Sequence, residues 1–352
     1  MKHASTADSG RKKRLGTILF ILFNVIVIGI TAYFDFGKSE VISEKDLLDM
    51  NPWYLLAVAG CFVTALAAET GKYYIMLRRT TGTANLRTAF EVAALGKYYD
   101  NITPLGAGGQ PFQAVYLHRS GIDSGTSAAV PVAGFLSLQG AFILLAAAVL
   151  IFGGRIVDSA GLMIPAYVGL LFYLFIPLAI IFFAISPSVT ERVLRFFIQL
   201  FAKLRLIKHP EEKEASFIAT LHDSIVSMST IFKSKFQFLE ITLLSLLFQI
   251  SLCSMPYFVL RAFGNTLSFI HVFKYCIYIY LCITFIPTPG NSGAAEGSFY
   301  ALFSVLGQGH LFWAMLVWRF FCYYMFIITG FAITIFGRRK KEHTLPDSSS
   351  AA

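Results

Sequence analysis

Charge is the scarcest property of this 352-residue chain: Lys, Arg, Asp and Glu together make up only 14% of it. A soluble domain spends roughly 25% on covering its surface, so an ordinary water-facing fold is excluded. The chain is instead 56% hydrophobic, with 35 phenylalanines, which suits a protein whose solvent is lipid. Cysteine is sparse as well. Its five copies (Cys61, Cys253, Cys276, Cys282, Cys322) sit in apolar segments without metal-type spacing. They read as small core residues, with no disulfide framework, no redox motif and no metal site. Signatures of catalysis are also missing. There is no HExxH, no nucleophile elbow, no Gly-Lys-Ser/Thr phosphate loop and no Cys/His cluster. No cofactor is expected, and no enzymatic activity.

Several long apolar runs are present. Residues 1–14 are polar and end in four consecutive basic residues, directly before an apolar run at 15–34. That run has spanning length and no small-x-small cleavage site, so it reads as an uncleaved first span. Further spans are expected from Trp53 to about Leu77, and at 126–152, 162–185, 238–260 and 311–336. Residues 186–235 alternate apolar and basic positions at helical spacing, which predicts amphipathic helices on the inner surface. One of them starts after Pro210, with Glu211, Glu212 and Glu214 in its first turn.

Two stretches break the rules for a spanning helix. The run NITPLGAGGQP at 101–111 holds two prolines and three glycines, so a helix must stop near Asp100. The run FIPTPGNSGAAE at 285–296 repeats the pattern. At an offset of 185, Thr103 and Pro104 fall on Thr288 and Pro289, and Gly108 falls on Gly293. Broken backbone at membrane depth survives only where protein or a watery cavity satisfies it. Paired breaks in corresponding halves point to the binding site of a repeat-built transporter.

The net charge of +9 sits beside the hydrophobic segments, so it reads as topology and contact with anionic lipid, not nucleic acid. By this layout 21 Lys and Arg lie on the inner side, 4 outside and 4 within membrane segments. Both termini are therefore expected in the cytoplasm of a multi-pass protein of the bacterial cell membrane. The first broken stretch then enters and leaves on the inner side, and the second on the outer side. The expected fold is all-α: about six full spans plus two re-entrant hairpins in an inverted repeat, an eight-segment bundle. The units are a basic terminus at 1–14, a transmembrane domain at 15–337 and a tail at 338–352. The domain divides into repeats at about 53–152 and 238–337, with the connection 186–235 between them. The competing layout makes each broken stretch one full helix plus a loop.

Ionisable residues at membrane depth are functional candidates. Arg319 lies well inside the last span, and a guanidinium grips phosphate well; a structural ion pair with Glu296 or Glu69 is the alternative. Glu69 and Lys72 can pair on one helix face. Glu296 can cap a returning half-helix or meet a headgroup there. Lys97 and Asp100 approach the first break. The break residues Asn101, Thr103, Pro104, Gly106, Gly108, Gly109, Gln110, Thr288, Pro289, Gly290 and Gly293 complete the candidate substrate-binding set, the glycines offering backbone donors to an anion.

The run GKYYDNITPLGAGGQP at 96–111 with RSGI at 119–122, the run PTPGNSGAAE at 287–296 and Arg319 together resemble the flippase-like, lysylphosphatidylglycerol synthase transmembrane family. The resemblance covers about residues 12–337. In two-part members of that family a soluble aminoacyltransferase makes lysyl- or alanyl-phosphatidylglycerol, and the membrane part moves it to the outer leaflet. Here the chain ends some 15 residues after its last span. The resemblance therefore implies translocation of a phosphate-bearing lipid without its synthesis: a phospholipid, an aminoacyl-phospholipid or a polyprenyl phosphate. Membrane lipids are the expected partners, with a separate lipid-modifying enzyme and a second copy of the chain as candidates. A membrane-embedded transferase, a small-solute or ion transporter and an envelope scaffold are the competing readings.

Overall fold

The computed structural model describes residues 50–152, 160–203, 210–303 and 308–342. The expected span at 15–34, the basic terminus before it and the tail beyond residue 342 lie outside this set. Within it, every regular element is helical. In chain order these are α1 (Pro52–Thr81), α2 (Leu86–Ile102), a short turn (Pro104–Gly106), α3 (Gly109–Arg119), α4 (Ser124–Phe152), α5 (Ala160–Ile185), α6 (Pro187–Lys203) and α7 (Pro210–Phe232). They continue with α8 (Lys235–Ala262), α9 (Phe269–Ile283), a second short turn (Pro289–Asn291), α10 (Ala294–Phe303), α11 (Gln308–Arg319), a π segment (Phe320–Tyr324) and α12 (Met325–Glu342).

Among the described residues, five helices are long and apolar enough to cross a membrane: Pro52–Thr81, Ser124–Phe152, Ile164–Ile185, Lys235–Ala262 and the run His310–Ile335. Local chemistry sets their ends. Asn51 caps α1 by accepting from Trp53 N at 3.1 Å, Pro52 occupies the first position, and Gly82 takes φ +76 to end the helix. Asn85 caps α2 in the same way, accepting from Arg87 N at 2.9 Å. α5 is the span most exposed to the surroundings, with Leu171, Phe175 and Leu178 on its surface, as expected of a helix that faces lipid. Within the connection the described residues form two helices, α6 and α7. α6 leaves Phe196, Phe197 and Leu200 exposed. It is tied to α7 by Arg195–Glu214 at 3.3 Å and Glu191–His222 at 3.0 Å.

The repeat seen as a few matching letters extends to the architecture. Adding 185 to the first residues of α1, α2, the first turn, α3 and α4 lands within two residues of the starts of α8, α9, the second turn, α10 and α11. Backbone angles agree as well. Thr103 (φ −109, ψ 147) and Thr288 (φ −104, ψ 149) are both extended before a proline, as pre-proline sterics favour. Two left-handed residues follow in each break: Leu105 and Gly106 in the first, Gly290 and Asn291 in the second.

The equivalent helices α1 and α8 pack along their length and run antiparallel. At one end Asn51 N donates to Ala262 O at 2.9 Å. At the other, the Arg79 guanidinium reaches the side-chain carbonyl of Gln237 at 3.0–3.3 Å, with that amide turned to face it. The main core fills the space between α1, α4, α8, α9, α10 and α11. The last span departs from expectation. It is not one regular helix, because residues 320–324 widen into a π turn directly after Arg319.

Candidate functional site

Each break is a helix–turn–helix in which the returning helix is capped from within. In the first, Thr103 Oγ1 accepts from Gly108 N at 2.9 Å and Asp100 Oδ1 accepts from Gly109 N at 2.9 Å. In the second, Gly293 N donates to Glu296 Oε2, the reach-back half of a capping box. The backbone donors of Gly108, Gly109 and Gly293, expected to face a ligand, are thus engaged by the chain itself. The two turns touch each other. Asn101 Nδ2 donates to Tyr323 O at 3.3 Å, and Tyr323 Oη donates back to Asn101 O at 3.2 Å. The π turn places that carbonyl, and it ties the first break to the last span.

A cavity of about 270 Å³ lies where the breaks meet. From the first repeat, Glu69, Lys97, Asp100, Asn101, Gly106 and Gln110 line it; from the second, Gly290 and Arg319 do. Eight of the seventeen residues singled out in the sequence therefore share one wall system. Lys72, Thr103, Pro104, Gly108, Gly109, Thr288, Pro289, Gly293 and Glu296 are not part of that lining. Lys72 and Glu296 each pair with a lining residue, Glu69 and Arg319, and Gly109 N is held by Asp100.

Arg319 is the most connected of these side chains. Its Nε is ion-paired with Glu296 Oε1, both groups buried. Its two terminal nitrogens donate to Gly290 O at 3.1 Å each, and the Tyr323 ring lies 5.0 Å from the guanidinium carbon. Of the two partners the sequence offered, Glu296 is the one realised. Glu69 pairs with Lys72 at 2.8 Å, and Lys72 Nζ also donates to Gly134 O at 3.2 Å. This second buried pair joins α1 to α4. Lys97 differs from both. Its Nζ sits 4.7 Å above the Phe248 ring and makes no hydrogen bond or ion pair among the described residues.

Sequence reading missed the aromatic and amide part of the wall. Tyr73 and Gln113 bond to each other at 3.0 Å, and Gln113 Nε2 also donates to Val92 O at 2.9 Å. Gly96 makes room for that amide, since a Cβ there would collide with it. Phe142, Tyr173 and Tyr280 close the cavity where α4, α5 and α9 meet. Gln139 and Gln249 add two further amides. Polar residues spaced along apolar helices were the available signal, but only the packing shows that they converge.

The breaks, the buried pairs and the cavity all lie within residues 17–330, the range that matches the family described as "Lysylphosphatidylglycerol synthase TM region". The chain belongs to this family. As a lysylphosphatidylglycerol synthase TM-region protein it is also similar to a UPF0104 membrane protein of Methanocaldococcus jannaschii, 27% identical over 104 residues. That match covers 29% of this chain and 30% of the relative's length, so it supports a shared membrane module and no more.

Proposed function

We propose that this protein moves a phosphate-bearing lipid across the bacterial cytoplasmic membrane. The headgroup would pass through the cavity between the breaks while the acyl chains stay in the bilayer. The observation that carries this reading is the cavity itself: a polar space enclosed by spanning helices and walled by both breaks. At about 270 Å³ it is smaller than the ~300–1,000 Å³ of sites that engulf a drug-sized ligand. It has room for a headgroup and none for two chains.

In this reading the breaks are re-entrant hairpins of opposite orientation, and the chain has about six full spans with both ends in the cytoplasm. Antiparallel packing of the equivalent helices α1 and α8 is what an inverted repeat requires, and the lysine and arginine asymmetry sets the direction. Lys97 and Arg319 receive the phosphate. Glu296 and Glu69 hold the two buried cations when the site is empty. Arg319 is freed for phosphate when the Glu296 pair opens by exchange of partners. The sequence carries no nucleotide-binding loop, so any drive comes from a gradient or from another protein.

The test is movement of fluorescent phosphatidylglycerol between leaflets of vesicles holding the purified protein, with Arg319→Ala alongside. Protein-dependent movement that falls at least about tenfold in the variant is expected. Equal movement in both proteins, or none in either, would sink the reading.

A further inference from the structure

The chemistry of the cavity wall names a class of headgroup, an inference that rests on the lipid-moving reading above. Each carboxylate in or behind the lining already has a partner. Glu69 holds Lys72, Glu296 holds Arg319, and Asp100 accepts from Gly109 N with Lys97 one turn before it. A headgroup bearing an extra ammonium would meet the lining carboxylates Glu69 and Asp100 only beside Lys72 and Lys97, with Arg319 in the same wall. An anionic phosphate meets Lys97, whose Nζ lies over the Phe248 ring and makes no hydrogen bond or ion pair among the described residues.

The remaining polar groups are carboxamides. Gln110, Gln139 and Asn291 line the cavity and make no side-chain hydrogen bond to another described residue. Gln249 uses only its NH₂, in a 3.4 Å contact to Leu138 O, and Asn101 likewise only its NH₂. Each spare amide pairs a donor with an acceptor, and a hydroxyl answers both at one atom without carrying charge. The aromatic faces of Phe142, Tyr173 and Tyr280 add an apolar surface against which the carbon side of a polyol can lie. We infer that the cavity takes an anionic phosphate joined to an uncharged, hydroxyl-rich headgroup, a polyol or a sugar, in preference to an aminoacylated one.

The experiment compares three lipids with identical acyl chains: phosphatidylglycerol, phosphatidylmethanol and lysyl-phosphatidylglycerol. Retention by the purified protein is read by native mass spectrometry, and movement is read in vesicles. Phosphatidylglycerol should be retained about five- to tenfold better than either other lipid, the worth of one or two net hydrogen bonds. The preference over phosphatidylmethanol should collapse in Gln139→Leu. The wild-type ranking does not depend on how well that variant folds. Equal retention of phosphatidylglycerol and phosphatidylmethanol, or better retention of the lysyl form, overturns the inference. If all three lipids still move, the lipid-moving reading survives that result. The predicted ranking without any movement supports the ligand class and removes the transport reading.

Discussion

At the scale of single residues, stability and function meet in the Arg319–Glu296 pair. Removing one partner of a buried pair strands the other charge, at a cost of about 3–5 kcal/mol. Glu296→Ala and Glu296→Gln should therefore both lower the melting temperature in detergent, because each removes the carboxylate charge, with a smaller loss for Gln, which keeps one oxygen for either Gly293 N or Arg319. A Gln variant as stable as the parent would mean that the charge of Glu296 is not what holds Arg319. Gly290 is a second sensitive point. It takes φ +59, and a Cβ there would run into the Tyr323 ring, so Gly290→Ala should destabilise by at least ~1–2 kcal/mol, the left-handed penalty alone. Leu105 gives the opposite prediction. It holds φ +57 with its side chain half exposed, at the position where the second break has a glycine. Leu105→Asn, a residue that tolerates this region, should raise stability by about 0.5–1 kcal/mol in thermal or denaturant melts. A loss would show that the leucine side chain contributes more packing than its backbone strain costs.

At the scale of elements, the breaks were the most legible feature. Proline and glycine act locally, so the end of α2 at Ile102 and the turn at Pro289 follow from the letters alone. The amphipathic α6 and the acidic start of α7 were legible for the same reason. The π turn at residues 320–324 was not, because Phe, Cys and Tyr carry no signal for widening a helix; it is sustained by tertiary bonds such as Asn101 Nδ2 to Tyr323 O. Removing the hydroxyl that returns this bond tests the link. Tyr323→Phe should cost about 1 kcal/mol in thermal melts, and an unchanged melting temperature would show that the bond does not hold the turn. Nor could spacing reveal that Gln139 and Gln249 share a cavity with Asn101. They lie on three different helices, and long-range packing alone brings them together. The ionisable candidates lie close together in the fold, yet their spacing in the sequence could not separate those that line the cavity from those that do not.

At the scale of the molecule, two copies of one helix pattern, packed antiparallel through α1 and α8, place two matching breaks against each other in the middle of a helical bundle. The fold is nearly symmetric in backbone and asymmetric in charge. Glu69, Lys72, Lys97 and Asp100 come from the first repeat, and Glu296 and Arg319 from the second. In the lipid-moving reading proposed above, a headgroup in the cavity meets one charged wall from each repeat, and rocking one repeat against the other opens the same site to either leaflet. That claim is tested most directly by two-sided accessibility. Gln110→Cys in a cysteine-free background would be treated with a membrane-impermeant thiol reagent, applied to the inner or the outer face of sealed vesicles. The account predicts labelling from both faces, slowed in each case by phosphatidylglycerol. Labelling from one face only, under every lipid condition, would contradict it.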